Sequence, residues 1–375
     1  MSSVSLKQPI LLLSFRKNHQ TFFRALVEQC GNEYFLIRST KSSFKFSFKA
    51  FGYLNRVDLT GACDFAVKEF YAKTNLKIPI MMVSLYFKYL AIINFLRYEV
   101  ILDSKYQKML LWNGGKFRQR IVIEIAKYKG IKVYFFENGL LPNTLVFDEK
   151  GINYENSVPR NKAFYSDYHI LKSLPTALVP RVGKNRDIFK GEKKGLPVKY
   201  IFVPFQVDYD TQIISHSHWI KNMRMLFEII SKLKLPSDIH IVFKEHPSSG
   251  VEYPDLYQKI QNSTQMAFQN TYSTQELIEN SIAVITINST VGVESLLFHK
   301  KVIVLGDAFY KIEGITLFAN TQLALQNIVT TIESIEIDTN LIDNFLKYLY
   351  YDYLIRKDED YLTEIYHRLL AKRQG

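Results

Sequence analysis

Short apolar runs alternate with helix-patterned segments along most of this chain, and that alternation restricts the fold more than any other feature. The opening shows the repeating unit. Residues 10–14 form an apolar run that reads as a strand. Residues 19–30 follow with Phe22, Phe23, Leu26 and Val27 on one helical face, and 34–37 read as a second strand. A β-α-β start of this kind leads to a doubly wound sheet. Further strands are expected over 108–112 and 132–136, and helices over 64–73, 79–99 and 117–129. A second series supplies strands over 200–204, 239–243, 283–287 and 301–305, with helices over 217–233, 253–262, 274–280 and 291–298. Helical patterns over 341–356 and 359–371 close the chain.

The 375 residues favour two domains, each large enough for its own core. Residues 182–197, rich in Gly and Lys and poor in apolar side chains, read as the linker. The expected fold is α/β of the GT-B class: two Rossmann-like domains with an active-site cleft between them. The boundaries expected are 1–190, 191–340 and a C-terminal helical piece, 341–375, that packs back across the domains.

The formal net charge of +12 selects an anionic partner. A nucleotide, an acidic sugar or an anionic lipid surface ranks above nucleic acid, because the sequence has no zinc-ligand spacing and no nucleic-acid-binding module. Cys30 and Cys63 are the only cysteines; they make no disulfide framework, which fits a reducing cytoplasm. The run 10–13 has no basic lead and no cleavage site, so it reads as a strand and not as a signal peptide. The most membrane-like stretch is 78–102. Lys88, Arg97 and Glu99 interrupt it short of the roughly 20 apolar residues that a span needs, so it reads as a core helix that can lie at a surface. In 43–49, aromatic residues alternate with polar or basic ones. A half-exposed strand is preferred there over a basic-aromatic surface for anionic headgroups.

Two motifs stand at strand ends. Lys244-Glu245-His246-Pro247 ends the strand 239–243, and Asn288-Ser289-Thr290 lies between the strand 283–287 and the helix after it. Ligands of open α/β sheets bind at the carboxyl ends of strands. Ser and Thr at a helix start offer N–H groups and hydroxyls to an anion, and they serve equally as a helix cap. His246 can donate to a phosphate leaving group. In the first half, Asn113-Gly114-Gly115 and Glu137-Asn138-Gly139 form two polar turns at consecutive strand ends, on one expected sheet edge. Glu137 and Asp210 are the carboxylates that domain closure could bring over one sugar, with Asp208 an equal rival to Asp210. His216 and His218 alone are weak grounds for a metal.

The ordered motifs resemble those of the bacterial capsule polysaccharide synthesis proteins, from about residue 18 to about residue 310. They are Asn18-His19-Gln20 with Phe22-Phe23-Arg24, Trp112-Asn113-Gly114, 135–144 with Asp148, Gly151 and Ser157, Pro204–Val207 with Asp210-Thr211-Gln212, Lys244–Pro247, and Asn288–Ser295. Each is weak alone; their order and spacing are specific. The resemblance implies a retaining β-Kdo glycosyltransferase that uses CMP-β-Kdo, and a single transferase-sized unit is similar to the lipid-priming, initiating type. It implies Asp210 as the nucleophile, Glu137 as acid/base at the acceptor hydroxyl, and His246 at the CMP phosphate beside Ser289 and Thr290. Lys244, Pro247, Gln206, Asn288 and Glu294 fall in the donor-side motifs, on the C-terminal domain. Asn113, Asn138 and Gly139 fall on the acceptor side, in the N-terminal domain. Lys116, Arg118 and Arg160 are alternatives for holding the Kdo carboxylate.

No cofactor and no metal are expected, since a single phosphate can leave with help from a His and a helix start. The partners implied are CMP-β-Kdo, an anionic phosphatidylglycerol-type lipid or a glycan acceptor, and capsule assembly or export proteins. The implied location is the cytoplasmic face of the inner membrane, held peripherally. The alternatives are a GT-B transferase for another CMP-linked acid such as sialic acid or for a UDP-sugar, and a non-catalytic lipid- or polysaccharide-binding component of a capsule assembly complex.

Overall fold

The computed structural model describes residues 9–31, 34–41, 45–74, 76–179 and 187–370. Residues 182–186 of the expected linker, and Ser43 and Phe44 of the alternating segment, lie outside them. The chain divides into two compact units. One holds the residues up to Gly139, 144–157 and Tyr353 onward; the other holds Leu140–Asn143 and Val158–Asp352. Strands in chain order are β1 (Ile10–Ser14), β2 (Phe35–Ser39), β3 (Lys108–Trp112), β4 (Lys132–Asn138), β5 (Thr144–Asp148), β6 (Tyr200–Pro204), β7 (His240–Lys244), β8 (Met266–Phe268), β9 (Ala283–Thr286), β10 (Lys301–Val304), β11 (Leu317–Phe318) and β12 (Ile355–Arg356). Two largely parallel sheets with helical connections form the Rossmann-like units of a GT-B fold.

In the first unit the sheet order is β12-β5-β4-β3-β1-β2. β2, β1, β3 and β4 are parallel, while β5 runs antiparallel to β4 and β12 antiparallel to β5. Ile10 to Leu13 are buried, as a strand covered on both faces requires. The helix Lys17–Cys30 lays Phe23 and Leu26 on the sheet and ends at Gly31, whose φ of 56° completes a left-handed cap. The last helix, Tyr361–Leu370, packs on it and buries Ile365 and Leu369.

In the second unit the order is β11-β10-β9-β6-β7-β8, all parallel. The chain enters at central β6, adds β7 and β8 on one side, then crosses to add β9, β10 and β11 on the other. The order therefore reverses between β6 and β9, where such a sheet opens a crevice at its carboxyl edge. The pairing shows the divergence: β6 stays registered with β7 to Pro204↔Lys244 but is registered with β9 at Ile201↔Ala283 and Phe202↔Val284.

Several elements differ from the sequence reading. The strand expected over 132–136 runs on to Asn138, because β5 pairs back along it as a hairpin. The helix expected over 341–356 stops at Tyr348. A wide turn over Leu349–Tyr353 follows, and Ile355 and Arg356 join the first sheet opposite Leu145 and Thr144. The pull is burial: Ile355 sits in the core of the first unit. The helix expected over 217–233 is confined to Met223–Ser231, and a separate short helix, Thr211–His216, precedes it; each is started by an acceptor side chain, Asn222 and Asp210 respectively. The described part of 43–49 is not a strand; a 3-10 helix starts at Phe48.

Candidate active site

In the second unit β9, β6 and β7 are neighbours, so three loops distant in sequence leave one sheet edge side by side. Gln206 and Asn288 join two of them. Gln206 Nε2 donates to Asn288 Oδ1 at 3.1 Å, and the Asn288 amide N–H donates to Gln206 Oε1 at 3.2 Å. Both are buried. Asn288 Nδ2 also donates to the Gln212 carbonyl at 3.1 Å, which ties the 288–290 loop to the helix that Asp210 begins. This reciprocal pair stands at the point where the strand order reverses.

The two rival aspartates separate cleanly. Asp208 is 7% exposed and accepts from the Met223 amide at 2.6 Å and the Tyr253 hydroxyl at 3.0 Å. Burial pushes its carboxyl above the usual range, against the pull of those bonds. Asp210 is half-buried and caps Thr211–His216, its Oδ1 accepting from the Gln212 amide at 2.8 Å. Asp208 is a clamp inside the loop, and Asp210 is the carboxylate presented with a fixed orientation.

His246 is half-buried, and its Nδ1 accepts from the Ser248 amide at 3.1 Å. The neutral ring then carries its proton on Nε2 as a donor. Pro247 is the next residue of the same loop. Lys244 faces elsewhere: it is buried and donates to the Asn270 and Tyr272 carbonyls at 2.6 and 2.7 Å, and burial brings its ammonium down to about 8. It anchors the strand end that carries His246. Ser289 accepts from the Val291 amide at 3.2 Å, and Thr290 is the residue before the helix Val291–Leu296. The Tyr310 hydroxyl donates to the Ser289 carbonyl, and a side chain at Gly292 would collide with the Tyr310 ring. Glu294 is buried within that helix, close enough to Tyr310 to raise its phenol further after burial has done so.

In the first unit the turns after β3 and β4 meet. Asn113 Nδ2 donates to Glu137 Oε2 at 2.7 Å, and Glu137 Oε1 accepts from the Asn138 amide at 2.9 Å. Asn138 is exposed at the end of β4. Gly139 closes the hairpin, where any Cβ would overlap Thr144. Lys116 pairs with Glu69 at 2.8 Å and opens the helix Phe117–Tyr128. Arg118 is exposed on that helix, and Arg160 is exposed in the second unit. Asp148 accepts from the Lys150 and Ser157 amides and the Ser157 hydroxyl at 2.7 to 2.8 Å, so this part of the motif is scaffold.

Sequence reasoning missed three supporting contacts, the first between two residues already named in its motifs. His19 stacks on Trp112 with ring centres 5.3 Å apart. Arg120 Nε donates to the Gly115 carbonyl at 2.8 Å, holding the Asn113 turn. Tyr253 clamps Asp208. The first and third join residues far apart in sequence, which no local pattern reveals, whereas Arg120 reaches back five residues from its helix. His216 is buried and His218 pairs with Asp307 at 2.6 Å, so the two diverge. Among the described residues no group of three or more His, Cys, Asp or Glu side chains is arranged to hold a metal ion.

The model of the family described as "Capsule polysaccharide biosynthesis protein" matches residues 107–182 and 182–359. Protein FixF of Sinorhizobium fredii (strain NBRC 101917 / NGR234) is 35% identical, over 66% of this chain and 60% of FixF. The capsule polysaccharide export protein KpsS of Escherichia coli is 25% identical, over 51% of this chain and 64% of KpsS. The chain thus spans less than two thirds of the length of these curated relatives. Among solved structures, the Thermosulfurimonas dismutans KpsC β-Kdo 2,7 transferase superposes with a TM-score of 0.50, covering 96% of this chain and 99% of that one at 14% identity. That likeness is one of fold.

Proposed function

The chain belongs to the capsule polysaccharide biosynthesis protein family, and on that premise we propose that it is a retaining β-Kdo glycosyltransferase. In this reading it transfers Kdo from CMP-β-Kdo to a phosphatidylglycerol-type lipid or a glycan, at the cytoplasmic face of the inner membrane. The observation that carries the reading is the placement of Asp210, oriented by the Gln212 amide, at the carboxyl edge that also holds His246 and Ser289. The first unit offers a second oriented carboxylate, Glu137, at its own carboxyl edge.

The chemistry follows from Kdo itself. Its anomeric carbon is quaternary and bears a carboxylate, so loss of CMP leaves an oxocarbenium-like centre. An Asp210 oxygen attacks that carbon as the C–O bond to the CMP phosphate breaks, which gives a covalent Kdo–Asp210 ester-type adduct. His246 Nε2–H and the Ser289 and Thr290 hydroxyls take the charge of the departing phosphate. The acceptor hydroxyl then attacks the same carbon, Glu137 takes its proton and the Asp210 carboxylate leaves. Two inversions retain the anomeric configuration. Lys116, next to the Asn113 turn, is the cation proposed for the Kdo carboxylate, at the cost of its pair with Glu69. The mechanism calls for no metal.

The test is CMP release from CMP-Kdo by purified protein, with and without a lysophosphatidylglycerol acceptor, beside CMP-sialic acid and UDP-sugars. Release specific to CMP-Kdo and raised by the lipid supports the reading. Turnover of another donor, or of none, overturns it.

A further inference from the structure

The helix Ile80–Glu99 is divided along its length. Its C-terminal half buries Ala91, Asn94, Phe95, Leu96 and Tyr98. Its N-terminal half leaves Ile80, Met81, Met82, Leu85, Tyr86 and Tyr89 between 57 and 69% exposed. Ten helical residues extend about 15 Å. Met81, Leu85 and Tyr89, four apart, share one stripe with Met82 and Tyr86 at its side. An apolar face this continuous in water needs a partner.

Charge says which partner. Between Glu69 and Glu99 the sequence carries Lys73, Lys77, Lys88 and Arg97 and no acidic residue. Apolar side chains bounded by lysines, whose stems can reach along the apolar surface, match a bilayer interface with anionic headgroups. By length and composition the helix could cross a membrane, yet part of it is buried in the protein. Phe95 and Tyr98, both fully buried, hold the other half in the core. Insertion of the exposed half alone leaves the fold intact.

The face also lies beside the candidate acceptor residues. Phe87 packs edge-on against Phe117 with ring centres 5.5 Å apart, and Phe117 follows the Asn113–Lys116 turn directly. Glu69 binds both Lys73 and Lys116 at 2.8 Å, linking the base of the face to that turn. We propose that the exposed stripe of Ile80, Met81, Met82, Leu85, Tyr86 and Tyr89, with Lys77 and Lys88, is the surface on which the protein docks to an anionic phospholipid bilayer. A lipid acceptor then reaches Asn113 and Glu137 without leaving the membrane. This second statement rests on the proposed transferase reading; the docking surface does not.

The test is co-sedimentation of the full chain with vesicles of phosphatidylcholine alone and of phosphatidylcholine with phosphatidylglycerol. The wild type should bind the anionic vesicles about tenfold more tightly or better. Met81→Asp/Leu85→Asp and Lys77→Glu/Lys88→Glu should each lose about tenfold or more, while Leu323→Asp, exposed in the second unit, should not. Undiminished binding by the first pair overturns the proposal. So does a stable dimer in sedimentation equilibrium that Met81→Asp/Leu85→Asp dissociates, with no vesicle binding by either form. Vesicle binding is read without donor, so a protein that binds but releases no CMP from CMP-Kdo overturns the transferase reading and leaves the surface standing.

Discussion

Asn113 binds Glu137 across neighbouring strands: its side chain donates to Glu137 Oε2 at 2.7 Å, while its amide N–H donates to the carbonyl of Phe136, the residue before Glu137, at 2.7 Å. Asn113 reaches this position with a φ of 70°, a left-handed conformation that Asn tolerates better than most residues. The carboxylate is therefore aimed by the backbone of the adjacent turn. Asn113→Gly keeps the left-handed backbone and removes the donor to Glu137, together with the side-chain acceptor of the Gly115 amide. We expect transfer to the acceptor to fall about a hundredfold, with formation of the Asp210 adduct unchanged by intact-mass measurement. Transfer at the wild-type rate would remove this link from the mechanism.

Asp208 and Asp210 should fail in opposite ways. Asp208→Ala takes the acceptor away from the Met223 amide and the Tyr253 hydroxyl in a buried site and should cost about 2 kcal/mol, read as a lower urea midpoint. Asp210→Ala loses a helix cap, worth about 1 kcal/mol, but should reduce transfer by at least about 10³. An Asp210→Ala protein that transfers Kdo normally would end its assignment as the nucleophile.

The strand ends were legible because β3, β6, β7 and β9 are short apolar runs closed by polar turns, and parallel strands in a covered sheet have that signature. Placing 113 beside 137, and 206 beside 288, then required only the doubly wound order. Orientation was not legible. Lys244 lies two residues before His246, yet its ammonium turns to the carbonyls of Asn270 and Tyr272, which come from a loop far along the chain. The same holds for Ile355. Its helical pattern continued from 341, but a place opposite Leu145 in the first sheet outweighed local preference.

His19 gives stability a pH signature. It is 5% exposed, its Nδ1 is buried with no hydrogen-bond partner, and burial with Arg16 nearby brings the imidazole down to about 4. Unfolded, it titrates near 6.5. Between those values the unfolded chain binds a proton that the folded chain does not, so its contribution to stability falls as pH drops from about 6.5 to about 4. The loss is at most about 3 kcal/mol. His19→Phe keeps an aromatic ring against Trp112 and cannot titrate. Urea unfolding at several pH values should show a flatter profile over this window in the variant. Parallel profiles would show that His19 is not the group responsible.

The leaving group supplies the last prediction. A nucleoside monophosphate departs with a single phosphate, and the proposed route gives its charge to His246 Nε2–H and to the Ser289 and Thr290 hydroxyls. Because Nδ1 of His246 accepts from the Ser248 amide, His246→Ala removes the donor while the amide it exposes lies in a loop where Ser248 is already open to solvent. The change should therefore lower turnover of CMP-Kdo by about 10² to 10³ with little effect on thermal unfolding. EDTA should leave the wild-type rate unchanged, and added Mg²⁺ should not restore the variant. A wild-type enzyme silenced by EDTA and revived by Mg²⁺ would transfer the phosphate's charge from these side chains to a cation, and the mechanism drawn through His246 would have to be abandoned.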